Sequence, residues 1–170
     1  EPTVKRNRVT MLVLPLDVND QSWVRSVMIR EWGEERVIVH SEFFMPHLLQ
    51  GFKAVESGQM VGLITTHLND DHCEVVTLNA FHPREGIGSA LLKKVEETAR
   101  MDGCPLCRLE TTNDNLNALG FYQRQGYHIS GIRPGAVDEA RKLKPTIPLV
   151  AENGIAIRDE ITLEKDLLTG

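Results

Sequence analysis

The chain has 170 residues, of which 41% are apolar and 25% are charged, and its formal net charge at pH 7 is −5. A chain of this length can bury one sizeable core, so we expect a single domain over residues 1–170. We expect no nucleic-acid partner, because the one cationic cluster, Lys5, Arg6 and Arg8, precedes the first apolar run in an otherwise acidic chain.

The sequence also argues against membrane insertion and secretion. No stretch approaches the roughly 18 consecutive apolar residues of a membrane-spanning helix, and the first residues lack the pattern of a signal peptide. We therefore expect a cytoplasmic protein with no membrane partner. Three cysteines, an odd number, indicate reduced thiols, and we interpret Cys104-Pro-Leu-Cys107 as a buried turn and strand.

The first predicted elements are a strand and a helix. The strand is an apolar run over Val9 to Leu14, and the helix is N-capped by Asp17 or Asp20 and ends near Gly33. Residues 36–49 contain aromatic residues and histidines without a clear period. We predict a loop there, with room for a short helix.

Three strands follow in quick succession, over Gly51 to Val55, Met60 to His67 and Glu74 to Phe81. Turn residues separate them at 57–58 and 69–71, so an antiparallel meander is predicted. We place His67 and His72, which flank the second turn, on the surface.

From Gly86 the apolar period changes to that of a helix ending near Gly103. The remaining predicted elements alternate between strand and helix. They are a strand over Leu106 to Glu110, a helix capped by Asn113 or Asp114 and closed by Gly126, a strand over Tyr127 to Ile132, a short helix over Val137 to Leu143 within a loop, and a closing strand over Ile161 to Leu163.

A glycine-rich segment, Arg84-Glu85-Gly86-Ile87-Gly88-Ser89, connects a predicted strand to this amphipathic helix. Such a turn exposes unpaired backbone N–H groups at the positive end of the helix, which is a way of binding phosphate. The segment is not a P-loop, since no Lys-Ser/Thr pair follows, and it lacks the third glycine of a dinucleotide fingerprint. By itself, a turn that merely needs small residues is an equally good interpretation.

A second motif follows the next predicted strand, which begins about twenty residues beyond the glycine-rich turn. Residues 109–127 contain Asn-x-x-Ala-x-x-x-Tyr followed by Gly and an aromatic residue, matched at Asn115, Ala118, Tyr122, Gly126 and Tyr127. With the glycine-rich turn in the right order and spacing, the chain resembles the GNAT superfamily of N-acetyltransferases. The resemblance covers the chain well from about residue 60 to residue 132 and loosely at both ends.

The resemblance implies an α/β fold of the α+β kind, with a mixed, mainly antiparallel sheet of about six to seven strands flanked by helices. Strands four and five would splay apart in a V, and the cosubstrate would be acetyl-CoA, with no metal. In the family the pantetheine arm lies along the exposed strand edge, here Leu78, Asn79 and Ala80. The pyrophosphate would be held by Arg84, Glu85, Gly86, Ile87, Gly88 and Ser89, while Asn115 either touches the pantetheine arm or merely caps its helix.

One departure concerns the phosphate loop. The family has Gln or Arg three residues before the first glycine, and that position here is Pro83. Proline has no N–H, so one phosphate donor would be lost, although Arg84 could supply a charge from the next position.

For catalysis, we expect Tyr122 to protonate the departing thiolate and Glu74 to act as the base, directly or through water. The alternative for Tyr122 is an aromatic residue that packs its helix onto the sheet, and the alternative for Glu74 is a solvated strand end. Other candidate bases are His82, Glu110, Asp159 and Glu160.

The implied function is transfer of acetyl to a primary amine of a small molecule or a protein, and dimerisation would suit the family. An alternative is a non-catalytic acyl-CoA-binding or sensing module, which Pro83 favours and which Tyr122 and Asn115 disfavour. A nucleotide-phosphate enzyme is a remote third interpretation. For the acceptor pocket the sequence offers only neighbourhoods: Trp32, Phe43, Phe44, His47 and Arg158.

Overall fold

The computed structural model describes residues 10–82 and 86–169 of the chain. Its strands are β1 (Met11–Pro15), β2 (Val37–Val39), β3 (Glu42–Phe44), β4 (Gln50–Glu56), β5 (Gln59–Leu68), β6 (Cys73–Ala80), β7 (Leu106–Thr112), β8 (His128–Arg133) and β9 (Glu160–Asp166). Its α-helices are α1 (Gln21–Trp32), α2 (Ile87–Met101), α3 (Leu116–Arg124) and α4 (Ala136–Leu143). None of the helices within these residues is long and apolar enough to cross a membrane.

Seven strands form one sheet in the order β1-β4-β5-β6-β7-β9-β8, and β2 pairs with β3 in a separate hairpin. Every neighbouring pair in the large sheet is antiparallel except β6 and β7, which are parallel. The mixed, mainly antiparallel sheet with flanking helices predicted for the GNAT fold is therefore confirmed. The meander β4-β5-β6 is confirmed as well.

The two faces of the sheet carry separate apolar clusters. On one side, which we call the α2 face, α2 and α3 pack against inward residues such as Ile64, Leu109 and Leu163. On the other, the hairpin face, α1 and the β2–β3 hairpin pack against Leu63 and Val76. Neighbouring residues of β5 thus point to opposite clusters, as the two-residue period of a strand requires.

The helix α2 follows from its apolar period. Ile87, Leu91, Val95 and Ala99 are all buried on the α2 face, as their four-residue spacing predicts. The helix lies very close to the sheet at Gly62, where an added Cβ atom would be 2.5 Å from Cγ2 of Ile87. Only glycine allows this approach, and it seats the first turn of α2 against β5.

Two elements differ from their predictions. Residues 36–49, predicted as a loop, contain the hairpin β2–β3, whose two-residue turn is His40-Ser41 with φ of 50° and 66°. Such turns normally use Asn or Gly, and neither residue is present at these two positions. The closing strand β9 is longer than predicted and lies between β7 and β8, since it pairs antiparallel with both.

Candidate active site

The sheet opens between β6 and β7, the fourth and fifth strands of the sequence-predicted series. Their pairing is limited to three positions, from Cys73 opposite Cys107 to Val75 opposite Leu109. The next residue, Val76, is a bulge, because Thr66 pairs with Val75 while Thr65 pairs with Thr77. A bulge bends its strand and ends regular pairing, so it opens the V at this point. The predicted splay is present.

A cavity of about 630 Å³ lies on the α2 face of the splay. Its wall includes the end of β6, the first turn of α2 and one side of α3. The predicted cosubstrate residues among its lining are Leu78, Ala80, Gly86, Ile87, Gly88, Ser89 and Asn115. Asn79 lines the neighbouring cavity instead. Pro83, Arg84 and Glu85 lie outside the described residues.

The first turn of α2 presents donors to this cavity. Gly86 caps the helix with φ of 74°, a left-handed conformation that suits glycine. The first backbone N–H groups of a helix have no partner within it, so they can bind an anion. Gln125, at the C-terminal end of α3, donates from Nε2 to Oγ of Ser89 at 3.0 Å. Because the Ser89 oxygen is the acceptor in this bond, its own proton is free for another acceptor.

A second cavity of about 290 Å³ adjoins the same splay and is lined by residues of α1, β6, β7 and α3. Glu31 and Trp32 contribute from α1, and Glu110 contributes from β7. The indole Nε1 of Trp32 donates to Oδ1 of Asn79 at 3.0 Å and so fixes the ring beside β6. Of the neighbourhoods named for the acceptor pocket, Trp32 is the one that lines this cavity.

Tyr122 lines both cavities, as do Leu78, Asn115 and Ala118, so the two cavities adjoin along a wall that includes this side chain. The residue is buried, and its ring makes edge-on contacts with Phe121 and Tyr127. Burial raises the pKa of the Tyr122 phenol above its ordinary value, so the hydroxyl keeps its proton at neutral pH. Packing and proton donation are therefore compatible roles for one side chain.

Asn115 caps its helix, which is one of the two roles considered for it. Its side chain accepts from the backbone N–H of Ala118 at 3.2 Å at the start of α3, one position beyond Asp114. The same residue lines both cavities.

Glu74 lies on the hairpin face and is not a solvated strand end. Only 2% of the residue is exposed. Its Oε2 atom lies 3.1 Å from Nε2 of His72, and its Oε1 atom lies 3.5 Å from Nε2 of His40. Burial raises the pKa of the Glu74 carboxyl to about 7. A carboxyl with this pKa can both accept and release a proton near neutral pH.

Glu110, one of the rival bases, lies in the same cluster and also lines the second cavity. Burial, followed by the negative charge of Glu160, raises the pKa of the Glu110 carboxyl to about 8. Nδ1 of His40 lies 2.5 Å from Oε1 of Glu110, and Arg133 lies 3.8 Å from the same atom. The Oε1 atoms of Glu74 and Glu110 are buried and make no aligned hydrogen bond with the residues described.

Of the other three rival bases, one belongs to this cluster and two lie elsewhere. Glu160 belongs to the cluster through an ion pair with Arg133 at 3.0 Å. Asp159 accepts from the backbone N–H of Gly135 at 2.9 Å and so orders the start of α4. His82 lines the cavity on the α2 face, beside the start of α2.

Sequence analysis missed two histidines of this cluster. His40 lies in the hairpin that was predicted as a loop. His72 was predicted on the surface, but it is buried between Glu74 and Asp71, whose Oδ1 atom lies 2.7 Å from its Nδ1. The run of three β-branched residues, Val37–Val39, was the one local signal for the hairpin. Nothing in the sequence placed its tip over β6 and β7.

Among the described residues of the site, no side chains are arranged to bind a metal. Within residues 10–82 and 86–169, no group of three or more His, Cys, Asp or Glu side chains could hold a metal ion. The three cysteines are free and buried, and two of them, Cys73 and Cys107, lie opposite each other at the closed end of the splay.

Comparison with known proteins agrees with this geometry. A model of the acetyltransferase (GNAT) family matches residues 18–127. The protein YdhI of Bacillus subtilis, described as uncharacterized, is 42% identical over 156 residues, which cover 91% of this chain and 98% of that protein. An IAA acetyltransferase from Bacillus cereus has the same fold with a TM-score of 0.68 and 18% identity, covering 92% of this chain and 99% of the other.

A GNAT family acetyltransferase from Elizabethkingia anophelis, solved with acetyl-CoA bound, superposes with a TM-score of 0.66 and 19% identity, covering 92% of this chain and 97% of that one. At these identities the solved structures establish the fold. The family match spans well over half of the chain and includes the glycine-rich turn, the splay and the Tyr122 helix. The chain therefore belongs to the GNAT family of acetyltransferases.

Proposed function

We propose that this protein transfers an acetyl group from acetyl-CoA to a primary amine by direct attack. The observation that supports this most is the meeting of two cavities at Tyr122, through the gap between β6 and β7. One cavity has the anion-binding features that a cosubstrate with a pyrophosphate needs. The other brings a buried carboxyl and an indole to the same point, where an acceptor would enter.

Acetyl-CoA fits the cavity on the α2 face. The N-terminus of α2 and the Ser89 hydroxyl supply donors for the pyrophosphate. The edge of β6 from Val76 to Ala80 is not paired with β7, so its backbone groups are free to bind the amide groups of the pantetheine arm. A thioester carried along this edge would reach the splay beside Tyr122.

The acceptor amine must lose a proton before it can attack. An alkylamine with a pKa of about 10.4 is neutral in only about one molecule in a few thousand at pH 7, a cost of roughly 4.6 kcal/mol. We assign the base to Glu74, which acts through water, because its pKa of about 7 is matched to this task. Glu110 is the carboxyl that lines the acceptor cavity itself.

The leaving sulfur must gain a proton. The Tyr122 phenol keeps its proton at neutral pH and lies where the two cavities join. A thiolate whose conjugate acid has a pKa of about 8.5 leaves more easily when a phenol donates to it. Tyr122 is therefore assigned as the acid.

Calorimetric titration with acetyl-CoA, with ATP and NAD as controls, tests the first half of the proposal, and thiol release with a panel of amines tests the second. We expect binding specific to acetyl-CoA and amine-dependent thiol release. Ser89→Ala should weaken acetyl-CoA binding about tenfold, since it removes one hydrogen bond to a charged group. Ser22→Ala, on the exposed side of α1, is the matched control and should leave the affinity unchanged.

Binding of acetyl-CoA without thiol release on any amine would favour the non-catalytic acyl-CoA-binding module. Absence of binding would refute both functions.

A further inference from the structure

We propose that His40 moves the proton released in each turnover from the buried carboxyls of Glu74 and Glu110 to solvent. The inference rests on the proposed function, because acetyl transfer to an ammonium substrate produces this proton. His40 is far from β6 and β7 in the sequence. It contacts residues of both strands because it lies at the tip of the β2–β3 hairpin.

The proton balance of the reaction requires an exit. The nitrogen of an ammonium substrate loses two protons as its bond to the acetyl carbon forms. When the bond from that carbon to sulfur breaks, the sulfur keeps the electron pair and takes up one proton to become the CoA thiol. The second proton has no acceptor among the products, so one proton must leave the protein in each cycle.

The two carboxyls have little contact with solvent, whereas His40 is partly exposed. The Glu74 side chain is 3% exposed and the Glu110 side chain is 7% exposed, whereas the His40 side chain is 40% exposed. Each ring nitrogen of His40 faces one carboxyl, with Nε2 at 3.5 Å from Glu74 and Nδ1 at 2.5 Å from Glu110. The imidazole thus spans the gap between both buried acids and the surface.

The backbone holds the ring in place at an energetic cost. His40 and Ser41 both have positive φ, a conformation that is strained for a residue with a side chain. The backbone N–H of His40 donates to Oε2 of Glu110 at 3.3 Å, so the turn itself is docked on the carboxyl. Asn or Gly would form this turn with less strain, and neither could exchange a proton.

The charges around the ring suit a relay. Those that face it are Glu74 and His72 on and beside β6, Arg108 and Glu110 on β7, Arg133 on β8, and Glu160 on β9. Burial, and then the charge of Arg133, lowers the pKa of His40, so the ring is neutral at pH 7. A neutral imidazole can accept a proton from either carboxyl, and rotation of its partly exposed ring then brings that proton to solvent.

His40→Asn tests the relay, because Asn adopts left-handed backbone conformations readily and so preserves the turn. We expect kcat in dilute buffer to fall at least tenfold, with unchanged acetyl-CoA affinity and unchanged KM for the amine. Added imidazole should restore kcat in this variant. Ser41→Asn, at the other left-handed position of the turn, is the matched control and should behave as the wild type.

A kcat for His40→Asn equal to that of the wild type, or a loss that imidazole does not restore, would overturn the relay. A second readout needs no turnover. The ¹⁵N shifts of the His40 ring, followed against pH, should show a displaced midpoint in Glu74→Gln and in Glu110→Gln. If the wild type transfers acetyl but neither variant displaces the His40 midpoint, the relay alone is refuted. If the wild type releases no thiol with any amine, the proposed function and the relay are refuted together.

Discussion

Around β7, the two faces of the sheet differ in the polarity of their buried side chains. On the α2 face, alternate residues of β7 and β9 are apolar and pack under α2 and α3, as Leu109 and Leu163 do. On the hairpin face, the intervening residues include the charged Arg108, Glu110, Glu160 and Glu164, and Glu110 is the least exposed of these four. An apolar–charged alternation normally indicates a strand with one wet face.

Here the hairpin covers part of the charged face. Burying these carboxyls costs free energy, and the raised pKa values of Glu74 and Glu110 reflect that cost. Around β7, the α2 face therefore contributes apolar packing, while the hairpin face holds titratable groups at some expense of stability. Substitutions on the two faces should therefore separate activity from stability.

The largest effect is expected on the hairpin face. Glu74→Gln should lower kcat/KM by about 10²- to 10⁴-fold, because a neutral amide cannot accept the amine's proton. The acetyl-CoA affinity should stay the same, and steady-state kinetics with calorimetry would measure both. The wild-type rate should also rise with pH through about 7, where Glu74 loses its proton, and the variant should lack this rise. Full activity in Glu74→Gln with loss in Glu110→Gln would move the base to Glu110.

On the α2 face, the fully buried Leu163 should show the reverse behaviour. Leu163→Ala should lower the free energy of unfolding by about 2–5 kcal/mol, because it removes buried methyl groups and leaves a cavity. Urea denaturation would measure the change. At temperatures where the variant is folded, its kcat should stay close to that of the wild type, and a hundredfold loss there would show that the two faces are not separable.

The pH dependence of stability sharpens the same contrast. The pKa of Glu74 is raised from 4.5 to about 7, so the folded state binds the proton more tightly. This contribution to stability is present in full below pH 4.5 and is lost as the pH rises through about 7, at a cost of roughly 3 kcal/mol.

The raised pKa of Glu110 acts in the same direction, and its contribution to stability is lost as the pH rises through about 8. Melting temperatures measured between pH 5 and 9 in roughly constant ionic strength should fall less steeply in Glu74→Gln than in the wild type. Parallel curves for the two proteins would mean that Glu74 is not protonated more readily in the fold.

The smallest effect is expected at Tyr122, which lines both cavities. Tyr122→Phe keeps the ring between Phe121 and Tyr127 and removes only the hydroxyl. We expect kcat to fall about tenfold with little change in acetyl-CoA affinity, since a thiolate is already a fair leaving group. An unchanged kcat would remove the acid role and leave Tyr122 as a packing residue.

The α2 face was the part that the sequence could predict. The four-residue period of α2, the meander and the left-handed Gly126 that ends α3 are local patterns, and each is present. The motifs that carry the GNAT resemblance also lie on or beside this face. Short-range rules were sufficient there because each signal spans only a few turns or one strand pair.

The hairpin face could not be predicted in the same way. His40 lies 34 positions before Glu74 and 70 before Glu110, yet it contacts both. His72 was placed at the surface because its turn is polar, and only the folded hairpin shows that it is buried. Contacts of this range leave no periodic trace in one sequence, so the cluster of acids was visible only as separate candidates.

The position of β9 has a consequence for how the protein is made. β8 leaves the ribosome before β9, yet β9 fills the space between β7 and β8. At the usual synthesis rate of about 5–20 residues per second, the edges of β7 and β8 stay open for a few seconds. During that interval the nascent chain offers two unpaired strand edges to any neighbouring chain. Slower translation after β8 would lengthen this exposure, and with it the dependence of the yield on chaperones that shield such edges.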